Sequence, residues 1–205
     1  MRRTLTIRVV TSVAVFVFVA GTWLTNREFN LGWLRFFSAA VLIATLVLTL
    51  WDIWLWRLPL IQRIPGVPRC ARGTWQGTLT SLWIDPTTRK SPAPKTVYLV
   101  IQQTATLVTV KLLTNESRST SVLANVFEID GSIVLTYLYF NKPDMRIEHR
   151  SRMHHGSAVL DVSGQPVRRL RGRYWTDRDS KGELEFTQQD RRLADDFAEA
   201  AEYFR

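Results

Sequence analysis

Two long apolar runs open the chain, and a period-two alternation fills most of the remaining length. Residues 9–26 contain no charged side chain, and residues 36–51 form a second uncharged run. Trp33 and Leu34 extend the second run on one side and residues 53–56 on the other. A helix needs roughly 20 apolar residues to cross a bilayer core, fewer where flanking side chains snorkel. The pattern therefore predicts two transmembrane helices joined by a short loop over 25–30. Trp23, Trp33, Trp51, Trp54 and Trp56 fall where interfacial aromatic residues are expected. The basic start also suits a cleaved signal peptide, but no small-x-small cleavage site precedes the second run. Pro59, Pro65, Gly66 and Pro68 then end the helical period. This predicts a two-helix hairpin over 1–58 and a linker over 59–72.

Beyond the linker, β-branched and aromatic residues alternate with polar ones between turn signals, the pattern of strands. The expected strands are 73–83, 96–103, 106–113, 117–129, 132–140, 149–163, 167–176 and 183–188. Asp130-Gly131 marks a hairpin. About eight strands with short connections suggest an up-and-down antiparallel barrel, a closure that removes sheet edges and leaves room for side chains or one small ligand. In residues 190–204, Leu193, Phe197, Ala200, Ala201 and Phe204 recur at helical spacing. They predict an amphipathic C-terminal helix serving the barrel as a plug or a lid. The fold class expected is thus membrane-anchored all-β: two N-terminal transmembrane helices, then a compact, roughly eight-stranded barrel over 73–205 closed by that helix.

Charge places the barrel relative to the membrane. The chain carries a formal charge of +9. Residues 1–68 hold seven arginines against two acids, whereas residues 69–205 hold twenty basic against sixteen acidic residues. The folded part is only mildly basic, which argues against a tight DNA or RNA binder. Arg2, Arg3 and Arg8 precede the first run, and Arg57, Arg63, Arg69 and Arg72 follow the second. The positive-inside bias puts both termini and the barrel in the cytoplasm. Asp52, the acid beside a span, reads first as an interfacial carboxylate near Arg57 and second as a functional group. The single cysteine, Cys70, forms no internal disulfide.

No catalytic constellation appears, so the chain reads as a binding module rather than an enzyme. His149, His154 and His155 lack a metal-ligand spacing, and there is no phosphate loop or nucleophile elbow. The richest stretch is the last hairpin. There, Leu170, Gly172, Tyr174 and Thr176 share one strand face, and Arg169, Arg171, Arg173 and Trp175 share the other. Two functional readings compete. In one, Tyr174 and Thr176 line a pocket at the barrel mouth with Arg178 reaching over it. In the other, the arginine ladder meets phosphates while Trp175 stacks on a base. A third reading makes Tyr174 core and the arginines a solvated face.

The order of features matters too. Two tandem apolar runs are followed by Gly-x-Trp-x-Gly (Gly73, Trp75, Gly77), about eight strands, a Gly-x-Tyr-Trp-Thr-Asp-Arg hairpin (Gly172 to Arg178) and a Gly-Glu-Leu-Glu-Phe strand (Gly182 to Phe186). In this combination the chain resembles the SMODS-associating two-transmembrane, β-strand-rich effectors. These are membrane β-barrel effectors encoded beside cyclic-oligonucleotide synthases (CD-NTases) in bacterial anti-phage CBASS operons. The resemblance implies that the barrel binds a cyclic dinucleotide made by a partner CD-NTase. It also implies that the ligand is an activator rather than a cofactor, and that binding drives homo-oligomerisation and disruption of the bacterial inner membrane, so that infection aborts. The family motif maps onto Tyr174, Trp175, Thr176 and Arg178. Arg171, Arg173, Trp75 and Tyr137 complete the candidate ligand-binding set, with Trp75 alternatively closing the barrel floor. A membrane-anchored lipocalin-like carrier of an apolar small molecule or lipid, and a constitutive scaffold, are the competing functions.

Overall fold

The structure, a computed structural model, describes residues 11–17, 19–21, 23, 33–84, 89–149 and 151–205, with 33–37 described by backbone alone. The chain forms two compact units. One comprises Met1–Val67 with Thr104–Thr106, and the other comprises Pro68–Gln103 with Leu107–Arg205.

In the first unit residues 11–17 and 19–21 are helical, and α1 runs over Trp33–Ile53. Two 3-10 turns come next, Leu55–Arg57 and Ile61–Arg63, consistent with Pro59 and Pro65 denying a continuous helix. Asp52 accepts hydrogen bonds at Oδ1 from the Thr106 amide (2.9 Å) and hydroxyl (2.8 Å), and its backbone carbonyl accepts from Ala105 (3.0 Å). That is a more specific role than an interfacial carboxylate.

The expectation of two membrane-crossing helices is corrected: among the described residues no helix is long and apolar enough to cross a membrane. Polar groups interrupt the apolar run of α1: Thr45 and Thr49, whose hydroxyls bond back to carbonyls four residues earlier, and Asp52 near its end. The first expected span is interrupted by positions outside the described residues. Arg2, Arg3, Arg8, Arg27 and the 25–30 loop lie outside them as well.

The second unit is a closed barrel of eight antiparallel strands in sequence order. They are β1 (Gly73–Ser81), β2 (Lys95–Gln103), β3 (Val108–Leu113), β4 (Ser117–Ile129), β5 (Ser132–Pro143), β6 (His154–Ser163), β7 (Arg169–Thr176) and β8 (Lys181–Asp190). β8 returns to β1, so every ladder is paired and no edge is left. The expected bent strand over 149–163 shortens to β6, because residues 145–149 form turns. Two register shifts, at Gln76/Gly77 and at Ser121/Leu123, bend the wall.

Strand alternation fills one half of the interior with apolar side chains. Trp75, Leu99, Ile101, Leu135, Leu160, Leu170 and Phe186 are fully buried there, each stabilising the fold by roughly 1.5–3 kcal/mol. The buried Gln103 fixes the chain's entry at this end: its Oε1 accepts from the Ala71 amide (2.9 Å) and its Nε2 donates to the Arg69 carbonyl (2.8 Å). Trp75 Nε1 donates to the Ala71 carbonyl (2.8 Å), so the indole closes the barrel floor.

The C-terminal helix, α2 (Phe197–Glu202), is shorter than the periodicity predicted and neither plugs nor lids the barrel. It is capped by Asp196, which accepts from the Glu199 amide (2.8 Å). It packs on the outer wall, where Tyr98, Val100 and Leu113 meet Ala194, Ala200, Phe197 and Phe204. The physical reason is twofold. The interior is already filled by side chains, and these outward apolar residues of β2 and β3 need cover.

Candidate functional site at the polar mouth of the barrel

The two ends of the barrel differ in chemistry. At the end opposite the Trp75 floor, inward-facing positions turn polar: Ser81, Lys95, Ser119, Asn141, His154 and Thr176 all lie at strand ends on interior faces. Their placement follows from register. Ser119 pairs with Asn141, Asn141 with His154, and Gly156 with Thr176.

Beneath this ring lies an aromatic layer of Tyr174, Tyr139 and Tyr137. The Tyr137 and Tyr139 rings are 5.8 Å apart. Glycines make room for two of the three. A Cβ on Gly156 would sit 2.4 Å from the Tyr139 hydroxyl, and one on Gly182 would sit 2.6 Å from Tyr174 Cε1. Burial pushes all three phenols above their ordinary range. Tyr139 adds to the effect at Tyr137, Tyr174 and Asp177 add to it at Tyr139, and a hydrogen bond with Ser81 tempers it at Tyr174. All three are therefore neutral at physiological pH. The Tyr137 hydroxyl is buried and finds no hydrogen-bond partner among the described residues.

The β7–β8 hairpin tip closes one side of the mouth. Thr176 Oγ1 is its hub. It shares a hydrogen bond with Ser180 Oγ (2.7 Å) and accepts from the Arg178 and Ser180 amides (3.3 Å each). Asp179 takes a left-handed φ of 56° in the turn. Asp177 Oδ2 accepts from the His155 amide (3.0 Å) and the Asp177 amide donates to the His155 carbonyl (3.0 Å), locking the tip to β6. Arg178 reaches the β5–β6 connection, donating through Nη1 to Ser151 Oγ (3.1 Å) and to the Arg152 carbonyl (3.2 Å). Among the described residues no carboxylate pairs with it.

The structure thus separates the sequence candidates. It brings Tyr174, Thr176 and Arg178 to the polar mouth, with Tyr137 in the layer below. Trp75 sits at the opposite end. Arg171, Arg173 and Trp175 face outward. Cross-strand glutamates oppose the arginine ladder, with Arg169 Nη2 2.5 Å from Glu185 and Arg171 Nη2 3.8 Å from Glu183. At the floor end a cleft of about 430 Å³ is lined by Arg69, Ser132, Asp161 and Gly164 among others. It offers no aromatic face for a base. Sequence reasoning missed Ser119, Asn141, Tyr139, Lys95 and the inward-facing position of His154 at this mouth. The signal was available in Ser117, Ser119 and Ser121, which alternate on one face of a strand.

These features fit an anionic ligand with planar rings, and comparison with known proteins agrees. Residues 67–188 match the family described as Cap15, cyclic dinucleotide receptor domain. The chain is also 26% identical over 155 residues to CD-NTase-associated protein 15 of Staphylococcus schleiferi, an alignment covering 76% of this chain and 80% of that protein. With the receptor domain spanning more than half of its residues, the chain belongs to the Cap15 family, CBASS effectors that bind cyclic dinucleotides.

Proposed function

We propose that the polar mouth is where the cyclic dinucleotide enters, and that its occupancy converts the chain into a membrane-disrupting oligomer. A partner CD-NTase supplies the ligand. Its phosphates meet Arg178, its sugar or base edges meet the hydroxyls and amide of the rim, and the tyrosine layer forms the floor beneath them. The chain acts by binding and assembly, without catalysis. It works at the bacterial inner membrane with its barrel in the cytoplasm, as the arginines after residue 56 favour. Exposed Val41, Leu42, Leu46, Leu50, Ile53 and Trp54 in the first unit provide apolar surface for lipid once copies cluster. Loss of membrane integrity then stops the infected cell before phage matures.

One observation carries this reading. Arg178 is fixed at a polar mouth with no carboxylate to offset its charge among the described residues, whereas the outward ladder faces glutamates. The test is titration of the full-length chain in detergent with a panel of cyclic dinucleotides, read by calorimetry. Arg178→Ala and Thr176→Val should each weaken binding at least about ten-fold, while Arg173→Ala should leave it unchanged. Normal binding by the first two variants, or loss with the third, would move the site to the outer ladder. In cells expressing the CD-NTase, the first two variants should also fail to arrest growth or admit a membrane-impermeant dye.

A further inference from the structure

Asp52 is an acid where a helix disfavours one. It lies in the last turn of α1, beside the negative end of the helix dipole, and no basic residue shares that turn. Its cost is offset from outside the helix. The Thr106 amide (2.9 Å) and hydroxyl (2.8 Å) both donate to Asp52 Oδ1. The Ala105 amide donates to the Asp52 carbonyl (3.0 Å), one of the carbonyls that a helix C-terminus leaves without an internal partner. Ala105 is only 4% exposed, although it sits in a loop between two strands. Thr104–Thr106 join β2 to β3 in the chain, yet they belong to the compact unit of α1, and nothing else in the barrel's length of chain does.

β2 is suited to carry a displacement to this loop. Its ladders with β1 and β3 each hold one register, whereas the β1–β8 and β4–β5 ladders are broken by shifts. It runs from Lys95 on the mouth rim to Gln103, the buried residue that holds Arg69 and Ala71. The covalent connection after α1 is a poor transmitter by comparison, because it is divided into two 3-10 turns and then bends at Gly66, with φ 86°. We infer that the Asp52–Thr106 clasp is the joint through which an occupied barrel acts on α1. With the clasp made, a change at the mouth passes along β2 to the helix. With it broken, the barrel binds but the helix does not respond. The inference rests on cyclic dinucleotide binding at the barrel driving membrane disruption. Asp52 and Thr106 act through β2 and are positioning residues.

The test compares Asp52→Ala, Asp52→Asn, Thr106→Val and Thr106→Ser with wild type. Each full-length chain is titrated in detergent with cyclic di-GMP, cyclic di-AMP, cyclic di-UMP and cyclic GMP–AMP. Each is also expressed with the partner CD-NTase in cells scored for growth arrest and dye entry. Asp52→Ala removes the two bonds at Oδ1. It should bind its cyclic dinucleotide at least as tightly as wild type, because the barrel no longer has to move the helix, while dye entry falls at least about ten-fold. Thr106→Val removes the hydroxyl alone and should fall in between. Asp52→Asn keeps an accepting oxygen and Thr106→Ser keeps the donating hydroxyl, so both should respond within about three-fold of wild type. Arrest at wild-type level by Asp52→Ala overturns the inference, as does weaker binding by that variant, which would make the contact merely structural. Loss in Asp52→Asn equal to that in Asp52→Ala, with Thr106→Val fully active, overturns it in favour of a role for the carboxylate charge. Wild type that binds no member of the panel, or binds without admitting dye, overturns the underlying reading and the inference with it.

Discussion

Tyr174 and Gly182 are cross-strand partners on β7 and β8, and the ring of the first occupies the space a side chain on the second would need. A Cβ at Gly182 would lie 2.6 Å from Tyr174 Cε1 and 2.2 Å from the Thr80 carbonyl oxygen. The ring can move, but the backbone carbonyl, held in the β1–β8 ladder, cannot move without breaking pairing. Gly182→Ala should therefore destabilise the barrel by roughly 1–3 kcal/mol in urea unfolding. Adding Tyr174→Ala should not restore the loss, because the closer clash is with Thr80. Recovery in the double variant would mean that the ring alone dictates the glycine.

This pairing also shows what the sequence could and could not reveal. The two faces of the last hairpin were legible, because side chains alternate strictly along a strand. Tyr174 and Thr176 accordingly lie inward and Trp175 outward. The strands β4 and β5 around Asp130-Gly131 were legible for the same reason. Asn141 was not, since a polar residue near a strand end reads as solvent-facing unless the register is known. Counting back from that turn goes astray at the bulge where Val122 is left without a cross-strand partner. The C-terminal helix was visible in its period but not in its docking place. Hydrophobic spacing says that a face must be covered, not which surface covers it. The apolar runs at the N-terminus predicted two membrane-crossing helices, whereas among the described residues no helix is long and apolar enough to cross a membrane.

Tyr137 offers a test of unsatisfied burial. Its hydroxyl is buried with no hydrogen-bond partner among the described residues, and such a group loses its hydration without recompense. Tyr137→Phe should raise stability by roughly 1 kcal/mol in chemical denaturation. A loss of similar size would show that the hydroxyl is hydrogen-bonded, most simply to an internal water.

The same aromatic layer sets an alkaline limit. Tyr137, Tyr139 and Tyr174 all have their ionisation pushed above the ordinary value of 10.0. In the unfolded chain they ionise near that value, while in the barrel they keep their protons. The folded state then binds more protons than the unfolded state, so stability falls as pH rises. Their contribution is fully present below pH 10 and declines above it. Phenolate absorbance should show these three rings titrating only together with cooperative unfolding, and Tyr137→Phe should flatten the alkaline decline. Reversible ionisation of all three within a folded barrel would contradict their burial.

The outer-wall position of α2 separates stability from ligand recognition. Phe204 stacks on Tyr98 at a ring distance of 5.7 Å, and Phe197 meets the same tyrosine edge-on at 5.1 Å. Both contacts lie on the outside of β2, whereas the polar mouth is lined from the inside. Phe197→Ala should therefore cost roughly 2–4 kcal/mol, as truncation of a largely packed aromatic does. At temperatures where the variant remains folded, its affinity for the activating cyclic dinucleotide should match wild type. Thermal unfolding and then calorimetric titration check both halves on one sample. A helix acting as a lid would instead give weakened or slowed binding with little loss of stability. The packing of Ala194, Ala200 and Phe197 against Tyr98, Val100 and Leu113 argues for the first outcome.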